Sequence, residues 1–137
     1  MNPTNKQSEK SIQNAILRAY ATRPDMRLAR ANTGAGVPYS VVKDALGLLR
    51  CGDVQGAARV LSSARPVTFG TPGQADLGGI IAGAGRRLEV EVKSPTGRQS
   101  PEQKQYQGII ERFGGVYILA RSVADVSEGL RRAGYDI

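Results

Sequence analysis

Histidine is absent from all 137 residues of this chain, and the absence excludes a large part of enzyme chemistry. It removes Ser-His-Asp and Cys-His nucleophilic sites, histidine-ligated zinc, and nucleases built on an imidazole base. Catalysis here must run on carboxylates, lysine, a metal ion, or hydroxyl and thiol groups. Cysteine occurs once, at Cys51, so no internal disulfide can form. The start, MNPTNKQSEK, has no apolar stretch of the secretory kind, so a reducing cytoplasm is the expected setting. No apolar run approaches the roughly 18 residues of a membrane span, and no membrane contact is expected. Acids are also scarce: 19 Lys and Arg stand against 12 Asp and Glu, a net charge of +7. Fourteen of the 19 cations are Arg, whose planar fork matches phosphate. That balance favours a polyanionic partner, nucleic acid first.

What is present reads as one domain over residues 1–137, 40% apolar and 23% charged, with length enough to bury about two-thirds of its unfolded surface. Residues 1–7 are polar and are expected to be loose. From Ser8, Ile12, Ala15, Ile16, Ala19 and Tyr20 recur at helical spacing and predict an amphipathic helix over about 8–21. Glu9 continues its inward stripe, although an acid there also suits the helix dipole. Met26 to Ala31 alternates as a short strand, and Asn32 to Gly36 reads as a turn. Residues 40–64 predict two short helices joined at Cys51-Gly52-Asp53, with Ser40 and Asp53 as N-caps. The pair superficially matches a helix-turn-helix DNA reader, but Gly47, Gly56 and small side chains favour a packed helical insertion.

Val67 to Phe69 is a strand fragment, and Leu77 to Ala82 with Leu88 to Lys93 predict a hairpin. Ser100-Pro101-Glu102-Gln103 is a strong helix start: serine N-cap, proline at the first helical position, glutamine three residues after the cap. That helix is expected to turn Tyr106, Ile109, Ile110 and Phe113 inward and to stop at Gly114-Gly115. A buried strand over Val116 to Ala120 and a last helix over Val123 to Ala133 complete an α/β domain with a mixed sheet.

The chemistry concentrates between Asp76 and Gln103. Glu89, Glu91 and Lys93 alternate with Leu88, Val90 and Val92, so the charged residues share one strand face. Taken alone, such a face reads as solvated and salt-bridged. If the run from Asp76 pairs beside it, Asp76 and Glu91 come within about 5 Å across the ladder. Two hard oxygen ligands at that spacing suit Mg²⁺, with Mn²⁺ as a substitute and Lys93 beside it. Gln103 is a further candidate, although a capping box would occupy the same side chain.

Asp76 followed by Glu91-Val92-Lys93 matches the pattern of the PD-(D/E)xK nuclease superfamily. With Gly73-Gln74-Ala75-Asp76-Leu77, Ser94-Pro95 and Gly97-Arg98-Gln99-Ser100-Pro101-Glu102-Gln103, the chain resembles the VRR-NUC family. That family comprises small stand-alone phage proteins and the terminal module of the Fanconi-associated nuclease. The resemblance runs from Glu9 to the last helix, with residues 40–64 fitting less well. Gln74-Ala75 stands where the superfamily often has a proline before the aspartate.

The resemblance implies a restriction-endonuclease-like mixed central sheet flanked by helices, carrying the helical hairpin as an insertion. It implies Asp76 and Glu91 as metal ligands with the Val92 backbone carbonyl, and Lys93 orienting the attacking water. Gln103 and Glu9 match further site positions, Glu9 as an additional candidate ligand; Glu89 has no assigned role. The implied activity is Mg²⁺-dependent, structure-selective DNA cleavage, in DNA repair or the resolution of Holliday junctions and other branched DNA, within a bacterial or phage-infected cell. Arg27, Arg30, Lys43, Arg98, Lys104 and Arg121 are candidate phosphate contacts. One site cuts one strand, so paired cuts call for a homodimer, for which the apolar faces of the 40–64 hairpin are candidates. The competing expectation is a non-catalytic DNA-binding or assembly factor that keeps the nuclease-like fold.

Overall fold

The computed structural model describes residues 7–137, so all of the expected loose start except Gln7 lies outside the described residues. The elements in order are α1 (Glu9–Tyr20), β1 (Met26–Arg30), β2 (Gly34–Gly36), α2 (Tyr39–Arg50), α3 (Val54–Ser63), β3 (Val67–Phe69), β4 (Leu77–Ile81), β5 (Arg86–Val92), α4 (Pro101–Arg112), β6 (Val116–Ala120) and α5 (Val123–Arg132). They form two compact units: one from the segments up to Asn32 and from Thr71 onward, the other from Thr33–Gly70.

The larger unit is a mixed α/β structure. Its sheet runs β1-β4-β5-β6, antiparallel from β1 to β5 and parallel between β5 and β6. Strand alternation sends Met26, Leu28, Leu77, Ile81, Leu88, Val90, Val92, Val116, Ile118 and Ala120 to one side, where they join Ile12, Ile16 and Tyr20 of α1 and Val126 and Leu130 of α5. Each fully buried aliphatic side chain contributes roughly 1.5–3 kcal/mol, so this layer holds the unit together. Gly129 lets α5 sit close to the strand, because a side chain there would collide with Ile118. The Tyr20 hydroxyl meets Ser127 at 2.8 Å and ties α1 to α5. Helix α4 covers the opposite side of the sheet.

The smaller unit pairs β2 with β3 and folds α2 against α3. Its buried residues are Ala45, Gly56 and Ala57, while Tyr39, Leu46, Leu49, Val54 and Leu61 remain exposed. Asp53 caps α3 as expected, accepting from the Gly56 amide at 2.8 Å.

Several expectations need correction. Gly34–Gly36 is extended rather than a turn, because it pairs with Val67–Phe69, a segment more than thirty residues away. Ser40 is not a cap: α2 starts at Tyr39, and the Val41 and Val42 amides bond to the Pro38 carbonyl. Ala19 is exposed, since α1 needs only Ile12, Ile16 and Tyr20 to reach the sheet. Helix α4 turns inward only part of the face its apolar spacing suggests. Ile109 is 40% exposed and Phe113 77% exposed, while Tyr106 is buried and Gln103 and Ile110 are half-buried.

Candidate active site

Strands β4 and β5 set the site. Their register pairs Leu77 with Val90, and continuing it by one residue puts Asp76 opposite Glu91. The Asp76 carboxylate reaches across the ladder and accepts the Val92 amide at 2.8 Å, which fixes it beside Glu91. Glu91 sits almost fully buried, 1% exposed. Its Oε1 atom takes the Lys93 ammonium at 2.7 Å and the Gln103 side-chain amide. Its Oε2 atom is buried and has no hydrogen-bond partner among the described residues.

The strand face expected to be solvated is therefore interior. Strand β5 is central, and α4 lies over the charged side, so Glu89 (0% exposed) and Glu91 are as buried as Val90 between them and Val92 beyond. Glu89 Oε1 accepts the Tyr106 hydroxyl at 3.0 Å and Arg87 Nε at 2.7 Å; its Oε2, like that of Glu91, has no partner among the described residues.

The helix start at Ser100 explains how Gln103 arrives there. Ser100 Oγ accepts the Gln103 amide, and Gln103 Oε1 accepts the Ser100 amide at 2.8 Å. This is a complete capping box. Contrary to the expectation from the sequence, the box does not compete with the site, because a glutamine has two ends. The carbonyl oxygen closes the box while the NH₂ group donates to Glu91. Gly73 makes the approach possible from the other side. It adopts φ +78°, and a side chain there would strike the Glu102 carbonyl, so the segment leading to Asp76 packs directly on the first turn of α4.

Burial raises the Asp76 carboxyl above its usual range, opposed by the Val92 amide and Lys93 and assisted by Glu9. Burial also raises Glu91, opposed by its bond to Lys93, with the neighbouring charges of Asp76 and Glu9 pushing the same way as burial. Carboxylates in one another's field and removed from water favour a proton or a cation between them.

Glu9 lies at the edge of this group, its Oε1 accepting the Ser94 amide at 3.1 Å from an exposed position on the first turn of α1. Among the described residues no three His, Cys, Asp or Glu side chains gather as a metal cage. The donor set nevertheless fits Mg²⁺, which binds through one or two carboxylates and keeps several waters. Glu91 Oε2, which has no hydrogen-bond partner among the described residues, would supply a hard oxygen. Of the candidate phosphate contacts, Arg27, Lys43, Arg98 and Lys104 are exposed. Arg30 is exposed as well but donates to Gln13 and Asn14 of α1, and partly buried Arg121 donates to the Gly97 carbonyl at 2.7 Å.

Sequence reasoning read Tyr106 only as an apolar packing residue and left Arg87 aside. The available signal was spacing: Gln103 and Tyr106, three apart on a helix, face Glu91 and Glu89, two apart on a strand. Tyr117 and Gln99 extend the same polar layer through a 3.3 Å bond, and burial raises the Tyr117 phenol. Comparisons with protein-family models, with curated proteins and with solved structures find no match to this chain.

Proposed function

We propose that this chain is a metal-dependent endodeoxyribonuclease with a restriction-endonuclease-like fold of the VRR-NUC kind, hydrolysing phosphodiester bonds in branched DNA as a homodimer. The observation that carries the reading is the pairing of Asp76, held by the Val92 amide, with buried Glu91, one of whose oxygens has no partner among the described residues. Mg²⁺ bound there would stabilise charge on the phosphate and lower the pKa of a coordinated water. Asp76 and Glu91 would be its ligands together with the Val92 carbonyl. Lys93, 2.7 Å from Glu91, would orient the attacking water. Gln103 holds the Glu91 carboxylate still. The net charge of +7 suits a phosphate backbone, and the exposed Leu46, Leu49, Val54 and Leu61 supply apolar surface for a contact between copies. No helix among the described residues is long and apolar enough to cross a membrane.

The test is to incubate the purified protein with labelled junction, flap and duplex DNA, with Mg²⁺ or Mn²⁺ and with EDTA, alongside light scattering. Cleavage of branched DNA that EDTA abolishes, by a species of twice the chain mass, supports the reading. Salt-sensitive binding without cleavage would replace it with a non-catalytic DNA-binding factor. Binding itself should weaken steeply between low and physiological salt, because arginine contacts release counterions from DNA; a flat titration would count against a phosphate-tracking surface.

A further inference from the structure

Helix α4 is held to the sheet in an unusual way. Its large apolar residues Ile109 and Phe113 are exposed, and its one buried residue is Tyr106. Beside half-buried Ile110 and the Tyr106 ring, two polar contacts tie it to β5: Gln103 to Glu91 and Tyr106 to Glu89. Two carboxylates removed from water are costly to bury, and an apolar pair of similar size would hold a helix at least as well. What carboxylates add is register. Residues two apart on a strand lie about 6.6 Å apart, and residues three apart on a helix share one face, so the two rungs engage together at one position of the helix along the strand. Arg87 braces the second rung from the open side, its Nε 2.7 Å from Glu89 Oε1.

We propose that Tyr106 is a positioning residue: its hydroxyl on Glu89 sets the register of α4, which keeps the Gln103 amide on Glu91. Glu89, which has no place in the chemistry itself, is the fixed point of the arrangement. The capping box makes the coupling stiff. Gln103 Oε1 is tied to the Ser100 amide, so its NH₂ group cannot follow Glu91 if the helix slides; it moves with the backbone. A shift of α4 therefore removes a hydrogen bond from Glu91 and leaves its carboxylate held by Lys93 alone.

The kinetic consequence rests on Glu91 being a metal ligand; the geometric consequence does not. Tyr106→Phe keeps the ring and deletes only the hydroxyl. In a ¹H–¹⁵N spectrum of the full chain, the side-chain amide signals of Gln103 are expected to shift and broaden in this variant. The cleavage rate should fall roughly tenfold with KM for DNA unchanged, the usual scale for outer-shell partners of a metal ligand. In a Gln103→Ala background, Tyr106→Phe should then cost nothing further, because its effect passes through the missing amide. Arg87→Gln, a change to an exposed side chain, should move the same Gln103 signals by less and serves as the second variant. Unmoved Gln103 signals in both variants overturn the proposal. So does a Tyr106→Phe penalty that persists in the Gln103→Ala background, which would mark Tyr106 as merely structural. If the wild type cuts no DNA but the Gln103 signals move, the nuclease reading falls and the positioning role stands.

Discussion

The two sides of one sheet are built on opposite principles. The side facing α1 and α5 is hydrocarbon apart from the Tyr20–Ser127 hydrogen bond, and is accounted for chiefly by the hydrophobic effect. The side facing α4 buries Glu89 and Glu91, leaves an oxygen of each without a partner among the described residues, and goes with a helix whose Ile109 and Phe113 are exposed. Both sides are carried by β5, whose residues Leu88 to Val92 are all buried. One side is designed for stability. The other tolerates desolvated charge, a signature of sites that do work. The comparison teaches that exclusion from water does not itself mark a core; the partners of the buried groups decide.

The sharpest way to break the comparison is to neutralise the polar side without changing its shape. Glu91→Gln and Asp76→Asn should each abolish metal-dependent cleavage while leaving DNA binding and far-ultraviolet circular dichroism intact, since each deletes a charge the cation needs. Near wild-type cutting by either purified variant would remove that residue from the site.

Lys93→Met comes next. It retains the aliphatic stem and deletes the ammonium 2.7 Å from Glu91, so cleavage should drop by orders of magnitude with Mn²⁺ binding by calorimetry largely preserved. A variant within a few-fold of wild type would reduce Lys93 to a local counter-charge.

On the apolar side the effect should reverse in kind. Leu88→Ala, at a fully buried position, is expected to cost about 2–5 kcal/mol in urea denaturation. At temperatures where the variant remains folded, its cleavage should stay near that of the wild type. Loss of activity without loss of stability would show that the two sides are not separable.

The smallest effect concerns pH. Burial raises both Asp76 and Glu91, so the folded chain holds protons on them at pH values where the unfolded chain has released them. Stability from these groups therefore increases as pH falls through the raised values toward the ordinary carboxylate range, and is lost above it. Carboxyls lowered by arginine partners or hydrogen bonds, such as Asp25 and Glu128, act with the opposite sign. Comparing wild type with Asp76→Asn isolates the term: in EDTA the variant should be the more stable at neutral pH, and the gap in melting temperature should close on mild acidification. A gap that widens instead would mean that Asp76 is favoured as a charged group.

Much of this was legible in the residues. The Ser100-Pro101-Glu102-Gln103 start, the β4–β5 hairpin and the opposition of Asp76 to Glu91 follow from local rules of capping and alternation, which operate over a few residues and need no partner. The pairing of Gly34–Gly36 with Val67–Phe69 was not legible, because its hydrogen bonds come from a remote segment while its glycines locally favour a turn. The face of α4 was misjudged in part, for a related reason. Apolar spacing points to Ile109 and Phe113, yet the helix is oriented by hydrogen bonds from Gln103 and Tyr106 to strand carboxylates.

By itself, then, the order of residues determined all the helices and strands but Gly34–Gly36, the exclusion of imidazole chemistry, and the placing of Asp76, Glu91 and Lys93 on one side of a hairpin. Those depend on short-range sterics, capping and a period of two. Only the tertiary structure decided that this side is dry, that Gln103 closes a capping box and holds Glu91 at once, and that Glu89 is an anchor for Tyr106. Alternation assigns side chains to a face, but whether that face meets water or a helix depends on what the rest of the chain lays over it.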